Sequence, residues 1–128
     1  MNDAPRILLV GDDPTLAEIT AFRLELLGYQ VQVVSSGDEA IERLEREGAD
    51  AVIIDTSVID ASPLEITSRI ANAETTSRIP VMAFSANADL DEVERAFHAG
   101  AKQYLVTPYD PAVLAQKLNQ MLATNTTP

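Results

Sequence analysis

The chain predicts a doubly wound α/β fold, and three observations carry that prediction. Short apolar runs alternate with helical patterns five times along the sequence. The first, third and fourth runs are apolar almost throughout, as strands covered by helices on both faces should be. The segments between them carry helix start and stop signals. A repeated strand–helix unit of this kind builds a parallel sheet with right-handed crossovers.

The strands are expected at Arg6–Val10, Gln30–Val34, Ala51–Ile54, Val81–Phe84 and Gln103–Val106. The second, Gln-Val-Gln-Val-Val, is partly alternating, which fits a sheet edge. The helices are expected from apolar positions at a 3.6-residue period. Leu16, Ile19, Phe22 and Leu26 share one face of the first helix. Ala40, Ile41 and Leu44 do so in the second, and Ile66 and Ile70 in the third. Leu90, Val93 and Phe97 mark the fourth, and Leu114, Leu118 and Met121 the last. Asp13-Pro14, Ser62-Pro63 and Asp110-Pro111 each pair an N-cap with a proline at the first helical position. Ser36 with Glu39, Ser62 with Glu65, and Asp89 with Glu92 have capping-box spacing. Gly28, Gly48 and Gly100 stand where helices should stop.

A chain of 128 residues reads as one domain. Such a chain buries roughly 68% of its unfolded surface, enough for an independent core. The domain is expected over residues 1–122, followed by a small polar tail or linker start at 123–128. There is no Cys and a single His, His98, so thiolate chemistry and a His-rich metal site are excluded. No apolar stretch approaches the ~20 residues of a membrane span. The opening MNDAPR lacks a signal-peptide pattern. A cytoplasmic protein with no membrane contact is therefore expected. The net charge of -11 disfavours direct nucleic-acid binding, which needs a basic patch, and is compatible with a cation or a basic partner.

The chemistry-bearing residues sit at the strand ends. In open parallel sheets, ligands bind outside the carboxyl ends of the strands. Asp12 and Asp13 follow the first strand, Asp55 the third, Ser85 the fourth and Thr107 the fifth. Three carboxylates in one pocket repel, at roughly 3 kcal/mol per pair for ~5 Å and an effective dielectric of ~20. A divalent cation relieves that repulsion, and Mg²⁺ takes oxygen ligands. A metal-bridged carboxylate can also act as a nucleophile toward phosphorus. Each residue alone has a blander role. Asp13 before Pro14 is a good helix cap, Asp55 can cap a turn, and a hydroxyl after a strand is common. The joint placement carries the argument.

These residues resemble those of a known family, the receiver domain of two-component response regulators. The resemblance rests on LLVGDD, VIID, PVMAFSA and GAKQYLVTPYDP and covers nearly the whole chain. It implies a flavodoxin-like receiver fold with five parallel strands in the order 2-1-3-4-5. It implies that Asp12, Asp13, Asp55 and the backbone carbonyl of Ser57 hold Mg²⁺, and that Asp55 accepts a phosphoryl group. Ser85 and Tyr104 would be its switch residues. The implied partners are a sensor histidine kinase or phosphotransfer protein and a downstream output domain or protein. A homodimer through the face of the fourth helix, fifth strand and fifth helix is implied as well. The activity expected is not that of an enzyme, beyond Mg²⁺-dependent self-phosphorylation.

Two departures stand out. The family has a Lys where this chain has Thr107, before Pro108. Thr offers one neutral hydrogen bond where a charge-assisted one would be roughly twice as strong. None of the nine basic residues follows a strand's carboxyl end, and Lys102 lies ~16 Å from Thr107 along a strand. The loop after Asp55 also differs, with Ile59, Ser62 and Pro63 in place of the usual Pro and Asp-Gly or Asn-Gly. Three readings result: a phosphoacceptor with altered kinetics, a degenerate receiver acting as a phosphorylation-independent interaction module, and a flavin carrier or phosphatase on a related fold. The last is the weakest. Gly-Asp-Asp-Pro after the first strand would repel a bare phosphate and lacks a haloacid-dehalogenase spacing.

Overall fold

Five parallel strands alternate with five helices in the computed structural model, which describes residues 4–55 and 62–126, with backbone only for 124–126. The elements are β1 (Arg6–Val10), α1 (Pro14–Leu26), β2 (Gln30–Val34), α2 (Gly37–Glu47), β3 (Ala51–Asp55), α3 (Pro63–Asn72), β4 (Val81–Ser85), α4 (Leu90–Ala99), β5 (Gln103–Val106) and α5 (Pro111–Thr126). The sheet order is β2-β1-β3-β4-β5, as the resemblance implies. β3 and β4 each run one residue further than their apolar runs, to Asp55 and Ser85. The acid and the hydroxyl are therefore held by the ladder itself, in the pairs Asp55↔Phe84 and Ser85↔Val106.

Alternation along the strands divides the core between the two faces of the sheet. Ile7, Leu9, Ile53, Phe84 and Leu105 face Leu24 of α1 and Leu114, Leu118 and Met121 of α5. Leu8, Val10, Val52, Ile54 and Val81 face Ala40 and Leu44 of α2 and Ile66 and Ile70 of α3. Ala83 and Tyr104 pack with Ala96 under α4. The expected faces of α2, α3 and α5 are the buried ones.

Two helix faces differ from expectation. In α1 the buried residues are Ala17, Thr20 and Leu24, while Ile19, Phe22 and Leu26 are exposed and Leu16 is half-buried. The helix is apolar on both sides, so periodicity alone could not choose. Thr20 turns inward because its hydroxyl has a partner there, Tyr109, at 2.7 Å. In α4 only Ala96 is fully buried, with Leu90 and Phe97 exposed and Val93 half-buried. Small residues let α4 lie close to the sheet, which leaves no room for the larger ones inside.

The caps follow the sequence with one exception. Asp13, Ser36 and Ser62 accept hydrogen bonds from first-turn amides of α1, α2 and α3. Asp89 makes no side-chain cap, and its own backbone N–H donates to Asn87 Oδ1 at 2.8 Å. α5 continues to Thr126, into the stretch expected as a polar tail. No Gly or Pro precedes Pro128 there, so nothing halts propagation of the helix.

Candidate functional site

Asp12, Asp13, Asp55, Ser85 and Thr107 all lie at the carboxyl edge of the sheet, on β1, β3, β4 and β5 or just past them. Asp55 closes β3 and is 8% exposed, an uncommon position for a carboxylate. It lines a narrow crevice together with Gly11, Ala17, Thr20 and Phe84. Asp12 and Asp13 follow β1, the neighbour of β3, and are exposed. Asp13 Oδ1 accepts from Thr15 N at 3.1 Å and from Leu16 N at 3.2 Å. One oxygen of this carboxylate thus serves α1 and fixes the direction of the side chain. Among the described residues, no three acidic or histidine side chains gather as a metal cluster. Ser57 and Ile59 lie outside the described residues.

On the other face of the sheet, Ser85 and Tyr104 grip one residue. Ser85 Oγ accepts from Asn87 N at 3.0 Å, and Tyr104 OH donates to Asn87 O at 2.7 Å. Asn87 Oδ1 in turn accepts from Asp89 N, so the loop from β4 to α4 is held at three points. Both switch candidates are buried, Ser85 at 6% and Tyr104 at 8% exposure. Beside them is a cavity of about 320 Å³ whose lining includes Leu64, Thr67, Ser85, Asn87 and Tyr104. Asn87 is a residue that the strand-end argument missed. Its signal is the Ser-x-Asn-x-Asp spacing, in which a Ser and an Asn each accept from the amide two residues on.

Thr107 is tied to β4 through its backbone, with its N–H donating to the Ser85 carbonyl at 2.8 Å. Its peptide bond to Pro108 is cis. Tyr109 then folds back onto α1, with its hydroxyl on Thr20, its ring 5.4 Å from that of Phe84, and the Arg23 guanidinium 5.3 Å from its ring centre. Sequence reasoning missed this group too, because nothing local links residues 20 and 109. Among the described residues, the ion pairs formed by Arg43, Arg46 and Arg69 join these residues to acids of α2 rather than to this edge.

Chemically, the edge combines a nearly buried carboxylate, two exposed carboxylates one strand away, and hydroxyl donors from β4 and β5. Oxygen donors of this kind suit a hard cation such as Mg²⁺, which is held by one or two carboxylates with waters completing its shell. The residues present fit that ion without a preformed three-acid cage.

Known proteins share this fold and much of this sequence. Residues 7–119 match the family model described as response regulator receiver domain. The chain is 30% identical over 118 residues to the phosphate regulon transcriptional regulatory protein PhoB of Rhizobium meliloti, covering 92% of this chain and 52% of that protein. It is 30% identical to the chemotaxis protein CheY1 of Helicobacter pylori, covering 94% of this chain and 98% of that one. The receiver domain of the Pseudomonas aeruginosa sensor histidine kinase PA1611, solved with a magnesium ion in its active site cleft, superposes with a TM-score of 0.86. It is 31% identical, covering 94% of this chain and 98% of that one. The chain spans about half the length of the first curated relatives it matches. The motifs at the strand ends, the sheet order and the family match agree: the chain belongs to the response regulator receiver domains of two-component systems.

Proposed function

We propose that Asp55 accepts a phosphoryl group from a sensor histidine kinase or a phosphotransfer protein, in a reaction that requires Mg²⁺. The observation that carries this reading is the placement of Asp55, a nearly buried carboxylate closing β3, beside β1 with its Asp12–Asp13 pair and beside β4 with Ser85. An Asp55 oxygen attacks the phosphorus of the donor's phosphohistidine. The P–N bond breaks, its electron pair stays on the imidazole nitrogen, and a P–O bond forms to Asp55. Asp12, Asp13 and Asp55 would hold the ion, with the Ser57 carbonyl as a further ligand from outside the described residues. Mg²⁺ supplies charge neutralisation for the carboxylates and the phosphoryl oxygens. The magnesium in the PA1611 receiver supports this choice of ion.

Ser85 would read the product. Its Oγ already accepts from Asn87, and its hydroxyl proton is left for a phosphoryl oxygen. Movement of Ser85 would then reach Asn87 and, through it, Tyr104. The exposed Leu90, Phe97 and Val106 lie on α4 and β5, where an output domain, a downstream protein or a second copy would meet that change. The role is that of a signalling module in the cytoplasm, with no direct nucleic-acid contact, consistent with a net charge of -11.

Acetyl phosphate with Mg²⁺, followed by intact mass, tests the reading. One phosphoryl group should add to the wild type, none in the presence of a chelator, and none to Asp55→Ala. Absence of an adduct at saturating donor would leave the phosphorylation-independent interaction module in its place.

A further inference from the structure

Tyr109 has no part in the roles above, yet two elements, α1 and β4, meet on it. Its hydroxyl is 2.7 Å from Thr20 Oγ1 on α1. Its ring lies 5.4 Å from that of Phe84 on β4, tilted by 50°. Arg23 of α1 stands 5.3 Å over its ring centre. Tyr109 itself belongs to the loop from β5 to α5 that carries Thr107. Two of its neighbours, Thr20 and Phe84, line the crevice in which Asp55 sits. Thr20 is 0% exposed, so its hydroxyl is in effect committed to its partner.

We propose that Tyr109 is a positioning residue for the acyl phosphate on Asp55. Latched to Thr20, it holds the loop of Thr107 against α1, at the sheet edge where Asp55 sits. The proposal rests on Asp55 being the acceptor. In hydrolysis a water oxygen attacks phosphorus and the P–O bond to Asp55 breaks. Its electron pair returns to the carboxylate, and the water's protons leave with inorganic phosphate and solvent. That water must reach the phosphorus in line with the breaking bond, and a loop fixed against α1 narrows the approach. Tyr109 touches neither reacting group and acts through the loop.

The test uses the full chain, phosphorylated with acetyl phosphate and Mg²⁺, freed of donor, and followed by loss of the phosphoryl mass. Tyr109→Phe keeps the ring against Phe84 and removes only the hydroxyl. Thr20→Val removes the other half of the bond at nearly constant shape. Each should shorten the lifetime of the adduct about fivefold, the factor that one net hydrogen bond commonly controls. The double variant should be no faster than either single one, because both remove the same bond. Gly100→Ala, destabilised at the distant α3–α4 contact, should keep the wild-type lifetime. Unchanged lifetimes in both single variants, multiplied effects in the double one, or an equal shortening in Gly100→Ala would each overturn the proposal. A wild type that takes no phosphoryl group would instead remove the reading of Asp55, and this proposal with it.

Discussion

At the scale of single residues, the proposed chemistry turns on position 107. Asp55 is nearly buried, and the side chain that the family places beside it as a cation is here a neutral hydroxyl. Thr107→Lys restores a charge-assisted partner, so phosphorylation by acetyl phosphate should speed up about tenfold, the worth of one such bond over a neutral one. Rates measured by intact mass at fixed Mg²⁺ check this, and an unchanged rate would mean that another step is limiting. The acids, Ser85 and Thr107 were legible because strand ends are readable from apolar runs, and topology gathers them. Asp13 shows the limit of such reading: one of its oxygens caps α1, so the same residue takes the bland role and remains a candidate ligand. Tyr109 was not legible, since its contact is with Thr20, 89 positions away, and the local spacing around Asn87 does not show its bond to Tyr104, 17 positions away.

At the scale of elements, start and stop signals were good guides where they acted on the backbone. Gly100 ends α4 at φ +120°, a conformation that L side chains rarely adopt, and a Cβ there would stand 2.5 Å from Ala71 Cβ of α3. Gly100→Ala should therefore cost about 3 kcal/mol, from backbone strain plus overpacking. Urea unfolding should show a lower midpoint with an unchanged slope. The helix faces were less readable. α2, α3 and α5 each present one apolar side, and that side is buried. α1 carries apolar residues on both sides and α4 one apolar face that is only partly buried, and their packing was decided by what waited inside. For α1 that was Tyr109 bonded to Thr20, and for α4 a close approach through Ala96. The large residues so displaced, Phe22, Leu26, Leu90 and Phe97, are among the apolar side chains left exposed.

At the scale of the whole molecule, the sheet separates two kinds of work. Asp55 and the crevice of Thr20 and Phe84 lie on the α1 and α5 face, while Ser85, Asn87 and Tyr104 face α3 and α4. The proposed acceptor and the proposed readout are thus on opposite faces of the sheet, and meet at the strand ends. The α1–α5 side is also tied by Tyr29, whose hydroxyl donates to Asn119 Oδ1 at 2.7 Å. Burial pushes the Tyr29 phenol above its usual 10.0. The folded state then holds this proton where the unfolded state has begun to lose it, so stability is full below pH ~10 and falls as pH rises toward the folded value. Tyr29→Phe should flatten that part of the alkaline decline, which urea titrations on both sides of pH ~10 would show.

The central claim is that Asp55 carries the phosphoryl group although Thr107 stands in the cation's place. Hydride reduces an acyl phosphate to an alcohol and leaves free carboxylates alone. Borohydride treatment after reaction with acetyl phosphate and Mg²⁺, followed by peptide mass mapping, therefore locates the acceptor directly. The account predicts homoserine at position 55 and at no other acid, and only when Mg²⁺ is present. Reduction at a different Asp or Glu, or none at saturating donor, would contradict it.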